Sequence, residues 1–153
     1  MLEIGDQVPD FSLPDQDGSE VSRSDYAGTR LVIFFYPKAM TPGCTKEACD
    51  FRDRADSLQT AGYSVIGISP DPIERLSAFR EKESLNYPLL SDQGHAVAES
   101  FGAWGVKKNY GREYEGLIRS TFVVDEGGQV THIYRNVRAS GHVARVSRDL
   151  LTE

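Results

Sequence analysis

Two unbroken apolar runs constrain this chain more than any other feature. Leu31–Pro37 reads LVIFFYP and Tyr63–Ser69 reads YSVIGIS. Each has the length of a strand and is apolar at consecutive positions, so both faces of each are expected to be buried. Between the runs, Cys44, Ala48, Phe51, Ala55 and Leu58 recur at steps of four and three, the stripe of an amphipathic helix. Thr41 stands at the N-cap position, Pro42 suits the first helical residue, and Gly62 suits the end. Strand, helix and strand in that order predict a parallel pair joined by a right-handed crossover, which commits the chain to an α/β fold.

The flanking sequence extends this unit. Residues 9–22, PDFSLPDQDGSEVS, predict two short strands around an Asp-Gly turn, followed by a loop at Asp25–Thr29. The first long strand is predicted over Arg30–Tyr36. After the second come a helix over Asp71–Glu83, a short strand at Tyr87–Leu90 and a short helix at His95–Phe101. Ala103–Gly116, AWGVKKNYGREYEG, reads as a long loop rich in glycine and aromatic residues. Leu117–Val124 and Val130–Tyr134 predict a hairpin, and residues 141–151 a last helix with Val143, Val146 and Leu150 on its core side. The expected architecture is a mixed central sheet with helices on both faces and an N-terminal β extension. The chain has no internal repeat or low-complexity tract.

With 153 residues the chain suits one domain over 1–153. A chain of this size buries about 70% of its unfolded surface, so it needs neither a disulfide nor a structural metal to fold. Its net charge is −6 with both signs interspersed, which argues against a nucleic-acid partner. No apolar run approaches the roughly 20 residues of a membrane span. The start, MLEIGDQVPDF, shows no secretory signal, so the expected location is cytoplasmic. In a reducing compartment two nearby thiols read as reactive or metal-binding rather than structural.

Both cysteines, Cys44 and Cys49, lie in KAMTPGCTKEACDF. Cys44 falls three residues after the N-cap, facing free backbone N–H groups and the positive end of the helix dipole. Both favour the charged thiolate, a nucleophile just past a strand end. The alternative is a small apolar residue on the helix stripe. Cys49 lies off that stripe. Five helical residues separate the two Cα atoms by roughly 8.7 Å, beyond the ~7 Å limit for a disulfide. If the two thiols join, the start of the helix must unwind. Cys-x4-Cys is weak as a zinc signature, and His95, His132 and His142 form no paired motif. No metal or other cofactor is expected. The absence of Cys-x-x-Cys argues against a disulfide reductase of the thioredoxin type.

The string YPKAMTPGCTKEACDFRD, Tyr36–Asp53, resembles the active-site segment of the peroxiredoxins, with Pro37, Thr41 and Cys44 in their Pro-x-x-x-Thr-x-x-Cys motif. Cys49, and the later segments YGREYEGLIRSTFVVD and NVRASGHV, are similar to the Q-type members, also called bacterioferritin comigratory proteins. The resemblance runs from GDQVPDFSLPDQDG onward. It implies a thioredoxin-like fold and reduction of hydroperoxides at a peroxidatic cysteine. By that resemblance Cys44 is the peroxidatic thiol, Pro37 shields it, Thr41 positions the peroxide, and Arg119 is the active-site arginine. Cys49 then matches the resolving cysteine. Arg119 also has a plain reading as a surface ion pair, and Thr41 as a helix cap alone. Glu47 reads either as a partner that orients Arg119 or as part of a solvated helix face. Trp104 and Tyr110 read as site-lining or as ordinary packing. Ala39 and Met40 stand where many relatives carry polar residues, suggesting an apolar rim.

The reading is a thiol peroxidase for hydrogen peroxide and organic hydroperoxides, recycled by an external dithiol such as thioredoxin and acting as a monomer. The rival is a redox sensor that uses the same cysteines without turnover.

Overall fold

Asp15 shapes the first turn. Its Oδ1 accepts the N–H groups of Asp17 and Ser19 at 2.9 and 3.0 Å, and Gly18 takes a φ of 83°, which suits a residue without a Cβ. Strands β1 (Ser12–Pro14) and β2 (Glu20–Ser22) pair antiparallel across it, as the Asp-Gly turn leads one to expect. One turn of 3-10 helix, Arg23–Tyr26, follows. The structure is a computed structural model that describes residues 2–151; residues 1, 152 and 153, which the expected domain includes, lie outside the described residues.

The apolar run forms β3 (Arg30–Phe35), and the stripe-bearing segment forms α1 (Pro42–Thr60). The second run is β4 (Tyr63–Ser69), parallel to β3 in the register Val32 to Val65. Then come α2 (Ile73–Lys82), β5 (Leu89–Ser91) and α3 (Ala96–Ser100). Residues Trp104–Asn109 and Arg112–Leu117 are strands β6 and β7, paired antiparallel in a sheet of their own. This corrects the long loop expected over 103–116. β8 (Ser120–Val124), β9 (Val130–Tyr134) and α4 (His142–Leu151) complete the chain. The expected strand 117–124 is thus broken: Leu117 closes β7, Ser120 opens β8, and Ile118 and Arg119 lie between.

The main sheet has the order β5-β4-β3-β8-β9, parallel in its first three strands and antiparallel in its last two pairings. β3 is central, which explains why its residues are buried on both faces. Val32, Phe34 and Tyr36 join one core with Phe51, Leu58, Leu76, Phe79, Val143, Val146 and Leu150, from α1, α2 and α4. Leu31, Ile33 and Phe35 join the other with Ala98 of α3, Phe101 just after it, and Val8 and Phe11 of the N-terminal segment. Helices therefore cover both faces of a mixed sheet, as expected. Gly67 on β4 gives the Phe34 ring its place: a Cβ there would meet Phe34 Cζ at 2.8 Å. Phe34 in turn stacks on Phe51 with ring centroids 4.6 Å apart, anchoring the middle of α1 to the sheet.

Candidate active site

The six residues 36–41 link β3 to α1, and they are held tightly. Ala39 is fully buried, its N–H donates to Asp71 Oδ2 at 2.7 Å, and its carbonyl accepts from Arg75 Nη2 at 2.8 Å. Ala39 therefore forms no apolar rim. Met40 takes a φ of 65° and packs against the core. Pro37 is half-buried in the same link. Thr41 is the N-cap residue in extended conformation, but its hydroxyl does not cap the helix. Thr41 Oγ1 instead donates to the Lys38 carbonyl at 2.7 Å. Pro42 has no N–H to satisfy, and the N–H groups of Gly43 and Cys44 have no acceptor one turn earlier in the helix.

Cys44 follows in the first turn of α1 and is 1% exposed. Arg119 reaches it from the break between β7 and β8. Its Nη2 donates to Cys44 Sγ at 3.3 Å, and its Nη1 donates to Glu47 Oε1 at 2.5 Å. The antiparallel pairing of Phe35 with Ser120 explains the meeting, because it sets the end of β3 beside the start of β8. Gly43 leaves room for the guanidinium, since a Cβ there would lie 3.3 Å from Arg119 Nη2. The Arg119 carbonyl accepts the Val137 N–H at 3.0 Å, which fixes its backbone. Burial works against its charge, but Glu47 and Cys44 more than compensate and hold it protonated.

Glu47 was left between two readings by sequence alone. It is fully buried and paired with Arg119, so it is no part of a solvated face. Burial pushes its carboxyl up to about 7, even against the pull of Arg119. Glu47 Oε2 has no hydrogen-bond partner among the described residues. His142 Nε2 lies 3.8 Å from it and 2.7 Å from Thr121 Oγ1. Burial, then Arg119 and Arg145, push His142 down to about 4, so its ring is neutral at pH 7. A second cation, Lys107 of β6, donates to the Leu117 carbonyl at 2.9 Å. Burial and then Arg119 lower its pKa, while Cys44 opposes the shift.

Cys49 lies one and a half turns along α1, half-buried and unbonded to Cys44. Its thiol donates to Glu83 Oε1 at 3.6 Å. Burial, with Glu83 adding and Arg52 opposing, pushes the thiol above its usual range. Trp104 stacks on His95 at 3.6 Å and packs with the core on the face of the sheet away from Cys44, while Tyr110 is 96% exposed at the tip of the β6–β7 hairpin. Among the described residues no three His, Cys, Asp or Glu side chains are grouped to hold a metal.

Sequence reasoning placed Cys44, Thr41 and Arg119, and the structure brings Cys44 and Arg119 into contact. It did not find His142 or Lys107. The signal for Lys107 was the β6–β7 pairing, hidden because that hairpin has no apolar face. A histidine opening an amphipathic helix carried none. A helix-start cysteine touched by an arginine from the break just before β8, on a thioredoxin-like sheet, is the arrangement of a thiol-redox protein. A model of the AhpC/TSA family matches residues 4–133. Peroxiredoxin Bcp of Escherichia coli K12 is 50% identical over 141 residues, 92% of this chain and 90% of that protein. Peroxiredoxin Bcp of Bacillus subtilis is 46% identical over 149 residues, 97% and 95% respectively. A solved structure of the bacterioferritin comigratory protein of Xanthomonas campestris matches with a TM-score of 0.89 at 34% identity, covering 98% of this chain and 96% of that one. The chain belongs to the AhpC/TSA family, and within it to the Q-type peroxiredoxins, which are peroxidases.

Proposed function

We propose that the chain reduces hydrogen peroxide and organic hydroperoxides at Cys44, that Cys49 resolves the oxidised form, and that an external dithiol such as thioredoxin recycles it. The observation that carries this reading is Arg119 bridging Cys44 Sγ and Glu47 Oε1. A guanidinium touching the sulfur offers donors to the oxygens of an incoming peroxide. The thiolate attacks one oxygen as the O–O bond breaks. The products are a sulfenic acid on Cys44 and an alkoxide or hydroxide, which takes up a proton and leaves as alcohol or water. Cys49 gives up its proton and its sulfur attacks the sulfenic sulfur, forming the disulfide as the S–O bond breaks; the leaving hydroxide takes up a proton and departs as water. Two thiols of the external reductant return both cysteines to the reduced state through a mixed disulfide. Pro37 shields the sulfur in this reading, and Thr41, whose hydroxyl must leave the Lys38 carbonyl to do so, positions the peroxide.

Peroxide-dependent oxidation of NADPH through thioredoxin reductase and thioredoxin tests the reading. Many turnovers are expected. Cys44→Ser abolishes consumption, and Cys49→Ser gives one fast turnover and accumulates sulfenic acid. Consumption that stops at one equivalent in the wild type marks a sensor instead. The reading includes a single domain acting as a monomer in the cytoplasm, consistent with a net charge of −6. Sedimentation and cell fractionation test those two points.

A further inference from the structure

The active-site ion pair has a loose end. Glu47 gives Oε1 to Arg119 and keeps Oε2 buried without a hydrogen-bond donor among the described residues. The Nε2 of His142, the first residue of α4 and 4% exposed, lies 3.8 Å from that oxygen. Three neighbours fix that ring. Thr121 Oγ1 on β8 lies 2.7 Å from Nε2, and Phe51 and Tyr134 meet the ring edge-on at centroid distances of 6.3 and 5.6 Å. A histidine kept only to fill the core would not be set on a buried carboxylate with a buried threonine to hold its polar edge. An apolar ring of the same size would pack there without an imidazole to satisfy.

We propose, resting on the function above, that His142 is a positioning residue: held by Thr121, it turns its Nε2 edge toward the open oxygen of Glu47 and so keeps that carboxylate ionised and Arg119 seated on Cys44. The proposal requires the tautomer with its proton on Nε2, where the N–H lies between Thr121 Oγ1 at 2.7 Å and Glu47 Oε2 at 3.8 Å; the ring is neutral at pH 7, so it acts on Glu47 as a dipole at a distance, neither an ion pair nor a hydrogen bond. Because burial has already brought Glu47 up to about 7, a modest loss of support there moves it between its two forms near neutral pH. A protonated Glu47 no longer anchors Arg119 by charge. The charged and titratable groups facing Glu47 are Asp50 on its own helix, Arg119 ahead of β8, and His142 on α4, with Tyr36 and Tyr87 within its field. Those facing His142 are Glu47, Arg119, Arg145 and Tyr134.

His142→Phe keeps the ring and excludes water but removes the donor. Its second-order rate with hydrogen peroxide at pH 7 is expected to fall about tenfold, with the acid limb of the pH–rate profile moved up by about one pH unit. The rate should recover toward pH 9, where Glu47 ionises unaided. His142→Gln, which retains an N–H donor, should stay within about threefold of wild type with its acid limb unmoved. Alkylation of the Cys44 peptide by iodoacetamide, followed over the same pH range, reads the same shift without peroxide turnover. A His142→Phe protein with the wild-type acid limb in both measurements, whatever its melting temperature, overturns the proposal. If that variant does not fold, Thr121→Val decides, because freeing the ring should move the limb in the same direction and an unmoved limb overturns the idea. Absence of turnover in the wild type would overturn the peroxidase reading instead, and leave the alkylation profiles to judge His142.

Discussion

At the scale of single residues, the site depends on where one guanidinium sits. Arg119 touches Cys44 through one nitrogen and Glu47 through another. Arg119→Met keeps much of the length and removes every donor. Loss of one such donor typically costs ~3–4 kcal/mol, so peroxide consumption is expected to fall about 10²–10³-fold with the fold intact. Stopped-flow measurement with circular dichroism checks both parts, and an undiminished rate would assign the peroxide oxygens to another residue. Cys44, Thr41 and Arg119 were legible in sequence because each belongs to a short motif. Glu47 was legible only as a choice, since its position one turn after Cys44 fits a buried or a solvated face. What settled it was Arg119, which arrives from 72 residues away. His142 was not legible, because its partners Thr121 and Glu47 come from two other elements. Thr41 was legible as a cap position, but the direction of its hydroxyl depends on the Lys38 carbonyl, which the turn at Met40 presents.

At the scale of elements, α1 has two halves with different duties. Its first turns carry both thiols and begin with a threonine, a proline and a glycine, which add little helix propensity. Its middle is fixed by the Phe51–Phe34 stack and by Arg52, whose Nη1 donates to the Glu83 carbonyl at 2.6 Å. A bond between Cys44 and Cys49 requires the first part to unwind. Amides from about Cys44 to Asp50 are therefore expected to exchange much faster in the peroxide-treated protein, while those from about Ala55 onward hold. Hydrogen exchange read by mass spectrometry, with the intramolecular disulfide confirmed by mass, checks this, and equal protection in both states would refute the unwinding. Most elements were legible because apolar period and burial agree: β3 and β4 as continuous runs, α1 and α4 as stripes. The β6–β7 hairpin was not. Its two-residue turn has φ of 52° at Tyr110 and 76° at Gly111, the pattern of a type I′ turn, but with tyrosine where asparagine or aspartate would signal it. Nearly all its residues are partly or fully exposed, so no apolar alternation marks the strands.

At the scale of the whole molecule, Glu47 and His142 set opposite pH dependences on stability. The folded chain holds a proton on Glu47 that the unfolded chain has released, so this contribution declines as pH rises from about 4.5 to about 7. The folded chain refuses His142 a proton that the unfolded chain accepts, so this contribution grows from about pH 4 to about 6.5. Between about pH 4.5 and 6.5 the two oppose each other. Glu47→Gln removes the declining half. Its unfolding free energy relative to wild type, read from urea titrations, is expected to climb from about pH 5 to about pH 6.5, by at most ~1.4 kcal/mol per pH unit for one proton. Parallel curves would show that Glu47 titrates alike in the folded and unfolded chains. The antiparallel pairing of β3 with β8 has a further consequence, in time rather than in space. Cys44 and Arg119 are 75 residues apart in the chain. During synthesis the cysteine emerges well before its arginine exists. For that interval Cys44 has no guanidinium beside it, and the contact forms only when the strand that follows Arg119 docks.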